Sequence, residues 1–176
     1  VTADARPVVC FVCTGNAARS VMARRMFAEL APGYRATSAG TLVLEGHPMS
    51  SRTRSALRDH GLTDFDHRSR QFGDEHAAAD LVVAMEPDHV TWVRRHHPEA
   101  ADRTATLPRL VRDLPALGSM ADRVAGLGLA TVEVEPWEEV VDPAAGDQAV
   151  FDACAVELYG LVEALAARLS DPSTTR

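Results

Sequence analysis

The sequence predicts an α/β fold of three layers, a four-stranded parallel sheet with helices on both faces. Three observations carry that expectation. Short apolar runs alternate with stretches of helical periodicity along the chain. The clearest run, Leu-Val-Val-Ala-Met at 81–85, is continuously apolar, as a strand covered on both faces must be. At 176 residues and 46% hydrophobic content, the chain has enough apolar material to cover such a sheet.

Residues 7–12 form the first predicted strand, between Pro7 and a Thr-Gly-Asn turn. From Ser20 to about Ala31, Val21, Met22, Met26, Phe27 and Leu30 recur at helical spacing, with Ser20 as the expected N-cap. Pro32-Gly33 stops that helix. A second strand, about 34–38, runs into Ser38-Ala39-Gly40, and a helix over 50–60 stops at Gly61. Residues 80–85 are the third strand, about 87–97 a helix, and 103–107 the fourth strand. The last helix, about 147–169, stacks Val150, Cys154, Leu158, Leu161, Val162, Leu165 and Leu169 on one face. Residues 1–176 read as a single domain, with 108–141 an insert before the last helix and 170–176 a frayed tail. Within the insert, LVRDLPAL (110–117) and MADRVAGL (120–127) are apolar enough for short helices. Because it leads into Asp142, the insert is expected to wall the site at the carboxyl edge of the sheet.

The net charge of −7 argues against a nucleic acid or anionic membrane partner, while leaving room for a local basic pocket. All 18 basic residues are arginine, so Schiff-base and Walker-type lysine chemistry is excluded. Cys10, Cys13 and Cys154 are too few and scattered for a disulfide framework and suit a reducing compartment. The stretch VTADARP has no apolar signal core and no run reaches transmembrane length, so the expectation is a soluble, cytoplasmic protein.

The chemistry concentrates in Cys13 to Ser20, where the first strand ends. Five residues between a cysteine and an arginine is the spacing of a loop that wraps an oxyanion. The backbone N–H groups of such a loop point inward, and the helix that follows adds positive potential. Gly15 and Asn16 tolerate the left-handed backbone a nest requires. Arg19 offers a planar fork for two phosphate oxygens, and the same field favours a thiolate nucleophile. The bland alternative is a buried structural cysteine beside a surface arginine.

With FVCTGNAARS (11–20), TSAGT (37–41), HRSRQF (67–72), DLVVAME (80–86) and DP (142–143) in order, the sequence resembles the low-molecular-weight protein tyrosine phosphatases and the arsenate reductases sharing their fold. The resemblance spans residues 7 to about 168. It implies a cysteine-dependent phosphomonoester hydrolase in which Cys13 forms a cysteinyl-phosphate and Arg19 stabilises the equatorial oxygens. The phosphate-binding loop would comprise Thr14, Gly15, Asn16, Ala17, Ala18, Arg19 and Ser20. Asp142 would be the general acid, held extended by Pro143, with Asp113, Glu138 and Glu139 in reserve. Ser20 would support the thiolate, while Asn16, Ser38 and His67 brace the loop. No cofactor and no metal are implied, and the expected partner is a phosphorylated protein or a small phosphate ester.

Ala144 and Ala145 stand after Asp-Pro where relatives usually carry an aromatic residue, and LVLEG (42–46) lacks the aromatic of the opposite wall. Phosphotyrosine, phosphoarginine and small esters therefore all stay open as substrates. Two competing readings are an oxyanion-binding relative with little turnover and an arsenate reductase using an external thiol. Cys10 and Cys154 read as core residues, since positions three apart on a strand face opposite sides. His89, His96 and His97 read as histidines of a solvated helix rather than metal ligands, Trp92 and Trp137 as packing residues, and Arg94-Arg95 as a solvated face. Asp64, Asp66, Asp74 and Glu75 read as acidic surface.

Overall fold

The computed structural model describes residues 4–63 and 66–170, so Asp64 and positions 171–176 of the expected tail lie outside the described residues. The strands are β1 (Val8–Cys13), β2 (Arg35–Gly40), β3 (Leu81–Ala84) and β4 (Thr104–Thr106). They form one sheet in the order β2-β1-β3-β4, with every pair parallel. The helices are α1 (Arg19–Leu30), α2 (Ser51–Asp59), α3 (Asp74–Ala77), α4 (Pro87–His96), α5 (Leu107–Asp113), α6 (Met120–Ala125) and α7 (Gln148–Leu169).

Strand alternation divides the interior in two. Val9, Phe11 and Cys13 face a cluster built with Met22, Met26 and Phe27 of α1, Leu107 and Leu110 of α5, and Leu158, Val162 and Leu165 of α7. Cys10 and Val12 face the opposite layer, with Phe72, Ala77 of α3 and Val93 of α4. The three-layer α/β expectation is met, and Cys10 and Cys13 do belong to opposite faces. Burial pushes the thiols of Cys10 and Cys154 up to about 12, which removes both as nucleophiles near neutral pH.

Several boundaries move. Helix α1 begins at Arg19, with Ala18 at its cap position and no side-chain cap bond. Ser20 is therefore not a cap; its hydroxyl is committed elsewhere, as described below. Helix α2 is capped by Ser50, whose hydroxyl accepts from Thr53 N at 3.1 Å, and α7 by Asp147, which accepts from Val150 N at 3.3 Å. Of the expected α7 stripe, Cys154, Leu158, Val162, Leu165 and Leu169 are buried. Phe151, Ala155 and Ala166 are buried there, while Val150 is 43% exposed and Leu161 only partly buried. Helix α3 was not anticipated, because four residues are too few to show a period. The 108–141 segment is partly helical, as expected, through all but the first residue of α5, all of α6 and a 3₁₀ turn at Pro136–Glu138.

Arg94 is not part of a solvated face. Its guanidinium donates to the carbonyls of Leu129, at 2.5 Å, and Val132, at 2.9 Å, tying the segment to α4. Glu138 is fully buried and accepts from Arg109 and from the Thr106 hydroxyl. Burial works against its charge, but those bonds outweigh it and hold its carboxyl below the usual range. Trp92 packs against the second cluster as expected, whereas Trp137 is 41% exposed, its ring centroid 4.0 Å from the Arg112 guanidinium carbon.

Candidate active site

The loop of residues 14–18 leaves the carboxyl end of β1 and enters α1. Most of its carbonyls are committed to flanking elements or to the first turn of α1. Cys13 O accepts from Thr41 N (3.0 Å), Thr14 O from Leu42 N (3.0 Å) and Ala18 O from Met22 N (2.9 Å). Ala17 O accepts from the Thr53 hydroxyl at 3.0 Å. Asn16 O accepts from His67 Nε2 and from the Ser69 hydroxyl, each at 2.8 Å. With those carbonyls committed, the amides turn the other way. No hydrogen bond among the described residues uses the N–H groups of Thr14, Gly15, Asn16 or Ala17. A set of unspent amides at a helix entrance is a nest for an anion.

Asn16 holds the loop together. It adopts φ 49°, the left-handed region, and it is the one non-glycine among the described residues that does so. Gly15, expected to share that conformation, does not. The Asn16 side chain donates from Nδ2 to Ser20 Oγ (2.9 Å) and Ser38 Oγ (3.0 Å), and its Oδ1 accepts from Arg70 N (3.0 Å). Ser20 Oγ lies 3.0 Å from Cys13 Sγ. A thiolate at Cys13 can only accept, so in that state Ser20 is the donor of the pair. Burial of His67, with Arg24 and Arg68 nearby, holds its imidazole below the usual range, so a neutral ring makes the bond to Asn16 O. The expected network of Asn16, Ser20, Ser38 and His67 is thus assembled around Cys13.

Gly40 explains the Ser-Ala-Gly run. It sits beside Cys13 in the sheet register. A Cβ there would come within 2.4 Å of Thr14 O, 2.5 Å of Val43 Cγ2 and 2.9 Å of Asn16 N. Only glycine lets β2 pass this close to the loop.

Arg19 is 2% exposed. Its Nη1 donates to Glu86 Oε2 (2.5 Å) and Val140 O (2.8 Å), and its Nη2 to Asp142 Oδ2 (3.0 Å). Burial opposes the guanidinium charge, but Glu86, Cys13 and Asp142 outweigh it and raise its pKa. Asp142 is anchored by Ala144 N, which donates to Oδ1 at 3.1 Å, and is half exposed. The reserve acids are displaced: Asp113 is paired with Arg112 and Arg109, and Glu138 is buried against Arg109. Glu139 stays exposed on the neighbouring segment.

Two residues of the site escaped the sequence reading. Glu86 follows β3 and anchors Arg19 as just described. His89, read as a solvated helix histidine, is 2% exposed, and its Nε2 lies 2.9 Å from Thr14 Oγ1 and 3.6 Å from Glu86 Oε1. Its Nδ1 is buried without a partner. A buried lone pair is tolerated better than a buried N–H, so the proton belongs on Nε2 and is donated to Thr14. Burial, then Arg19, depress the imidazole to about 3, only partly offset by Asp142 and Asp88, so His89 braces the loop as a neutral ring. Two aliphatic side chains next to the loop are largely exposed: Leu42, whose N–H bonds Thr14 O, and Val141, beside Asp142. Among the described residues, a metal-sized grouping occurs away from this loop, at Asp74, His97 and Glu99, and two of the three are exposed.

A parallel α/β sheet carrying a thiol inside a nest of amides, with a guanidinium at hand, defines a protein built to engage a tetrahedral oxyanion through sulfur. Residues 8–114 match the family described as low molecular weight phosphotyrosine protein phosphatase. The chain is 38% identical over 154 residues to the low molecular weight protein-tyrosine-phosphatase of Streptomyces coelicolor, covering 83% of each. It is 45% identical over 100 residues to low molecular weight protein-tyrosine phosphatase A of Mycobacterium tuberculosis, covering 53% of this chain and 61% of that relative. The alignment thus spans about three fifths of that relative's length. Among solved structures, the YwlE arginine phosphatase from Geobacillus stearothermophilus superposes with a TM-score of 0.74 at 32% identity, covering 93% of this chain and 92% of that one. The chain belongs to the low molecular weight phosphotyrosine protein phosphatase family.

Proposed function

We propose that this protein is a cysteine-dependent phosphatase acting on phosphorylated protein side chains through a cysteinyl-phosphate intermediate. The observation that carries the reading is the chain of hydrogen bonds from Asn16 through Ser20 to Cys13, inside a loop whose amides are unspent. Cys13 Sγ attacks phosphorus, and the S–P bond forms as the bond to the leaving oxygen or nitrogen breaks. Residues 14–20 receive the equatorial oxygens. Arg19 Nη2, now on Asp142, is the group the incoming phosphoryl oxygen takes over. Asp142 is thereby released from Arg19, takes up a proton from solvent and passes it to the leaving group. It then takes a proton from the water that breaks the S–P bond, yielding inorganic phosphate and free Cys13.

Arsenate reduction by a relay of thiols does not suit this chain, because residues 75–95 contain no cysteine. Turnover of a phosphoprotein fits a cytoplasmic location; consistent with that, no helix among the described residues is long and apolar enough to cross a membrane. The exposed aliphatic side chains next to the loop support substrates beyond aryl phosphates, and relatives are named for both tyrosine and arginine phosphatases. The test is steady-state release of phosphate from phosphotyrosine and phosphoarginine peptides and from a small aryl ester. Wild type should turn over at least one peptide and Cys13→Ser none. Binding of phosphate without turnover of any of the three would leave only the oxyanion-binding reading.

A further inference from the structure

Along the outer edge of β2, behind the phosphate loop, lies a cleft of about 560 Å³, within the size range of small-ligand sites. In a chain of net charge −7, this cleft is lined by Arg24, Arg35, Arg68 and Arg70, with the imidazoles of His67 and His76, against only Asp66 and Glu75. Glu75 pairs with Arg70 at 3.5 Å. Arg68 donates only to the carbonyl of its neighbour His67, and among the described residues no carboxylate is in contact with Arg68 or Arg35, although Asp4 feels the Arg35 charge.

The floor of the cleft is a free strand edge. Gly40 uses its N–H and C=O on the outer side, with Arg70 O (2.9 Å) and Phe72 N (2.8 Å). Strand alternation places the same groups of Ser38 and Ala36 on that side, below the point where the Gly40–Gln71 bridge ends the pairing. Main-chain N–H donors and the guanidiniums of Arg35 and Arg68 therefore face one space.

We infer that this cleft is a second anion site, taking a small, multiply charged phosphate compound such as an oligophosphate, and that its occupant acts on the phosphate loop through Ser38 and His67. Both residues line the cleft, and both hold Asn16: Ser38 Oγ accepts from its side chain at 3.0 Å and His67 Nε2 bonds its carbonyl at 2.8 Å. An anion between Arg35 and Arg68 therefore touches the two residues that fix the left-handed turn over Cys13. It would also oppose the cationic field of Arg24 and Arg68 on the His67 ring. The site is separate from the catalytic one, so it stands or falls independently of the turnover assay above.

The experiment is a calorimetric titration of the full chain with inorganic tripolyphosphate, repeated on the Arg35→Ala/Arg68→Ala variant. Both arginines are exposed and outside the phosphate loop, so the variant should fold and keep its turnover without tripolyphosphate. Wild type should bind at two sites, one of them weakened at least ~10-fold in the variant through loss of two charge-assisted contacts. The Asn16 side-chain amide resonances should shift with occupancy of that site in wild type, and not over the same range in the variant. A single site in wild type, or equal affinities in wild type and variant, would overturn the proposal. So would binding that leaves the Asn16 resonances still until the phosphate loop itself fills.

Discussion

Replacing Gly40 by alanine is a one-atom probe of the site. The added Cβ would stand 2.4 Å from the Thr14 carbonyl oxygen and 2.9 Å from Asn16 N, both main-chain atoms of the phosphate loop. Ordinary contact for such atoms is about 3.5 Å, so the loop must retreat by about 1 Å. Overpacking of this kind costs about 1–3 kcal/mol. For a chain of this size that lowers the melting temperature by roughly 2–12 °C. A displacement of about 1 Å in a positioning element costs on the order of 10²-fold in rate. The activity loss should therefore far exceed the stability loss. Steady-state hydrolysis of an aryl phosphate, alongside thermal unfolding, measures both. Gly33→Ala is the control, because nothing lies within 4 Å of its Cβ position. If Gly40→Ala retains kcat within twofold of wild type, close passage of β2 is not what shapes the loop.

Further outcomes follow from the geometry. Arg19→Ala should lower kcat by about 10²–10³-fold, and Cys13→Ser should abolish turnover while still binding vanadate; near-normal turnover in the serine variant would exclude the covalent path. Asp142→Asn should slow esters of poor leaving groups by about 10²–10⁴-fold and good ones little; equal slowing across a leaving-group series would assign Asp142 a structural role. Peroxide should inactivate the protein without forming a Cys10–Cys13 disulfide, because the two thiols belong to opposite faces of the sheet; peptide mass spectrometry that finds that bridge would refute this. His89 is depressed from 6.5 to about 3 in the folded state. The unfolded chain then binds the extra proton, so this contribution is complete above pH 6.5 and lost as pH falls toward 3, by up to roughly 5 kcal/mol. His89→Gln should flatten the acid limb of urea midpoints across that window, and an unchanged limb would remove His89 as its source.

Residues close together in sequence were the easiest to anticipate. Cys13, Arg19 and the turn between them share one loop, and β1 and α1 fix its ends. The place of Asp142 beside Arg19 and the partners of Asn16 became legible through resemblance, since Ser38 and His67 reach Asn16 from 22 and 51 positions away. Glu86 and His89 stayed hidden for a physical reason: their roles depend on β3 lying beside β1, and a single sequence states no such adjacency. His89 also sits in a helix whose last turn is basic and exposed, which disguises its buried first turn. Arg94 misled in the same way, because a guanidinium that donates to carbonyls looks, as a letter, like one in water. Ser20 looked like a helix cap because its hydroxyl has no local sign of being spent on sulfur.

The segment that carries Asp142 is fastened at both edges. Val140 donates its N–H to Met85 O at the end of β3 and accepts from Arg19 through its own carbonyl, both at 2.8 Å. Asp142 therefore rides on the same frame as the sulfur, two residues from a double anchor, rather than on a flap that must swing shut. An enzyme built this way has no closing stroke to wait for. Its turnover should be paced by bond-making at phosphorus and departure of phosphate, and thickening the solvent should leave the first of those steps untouched.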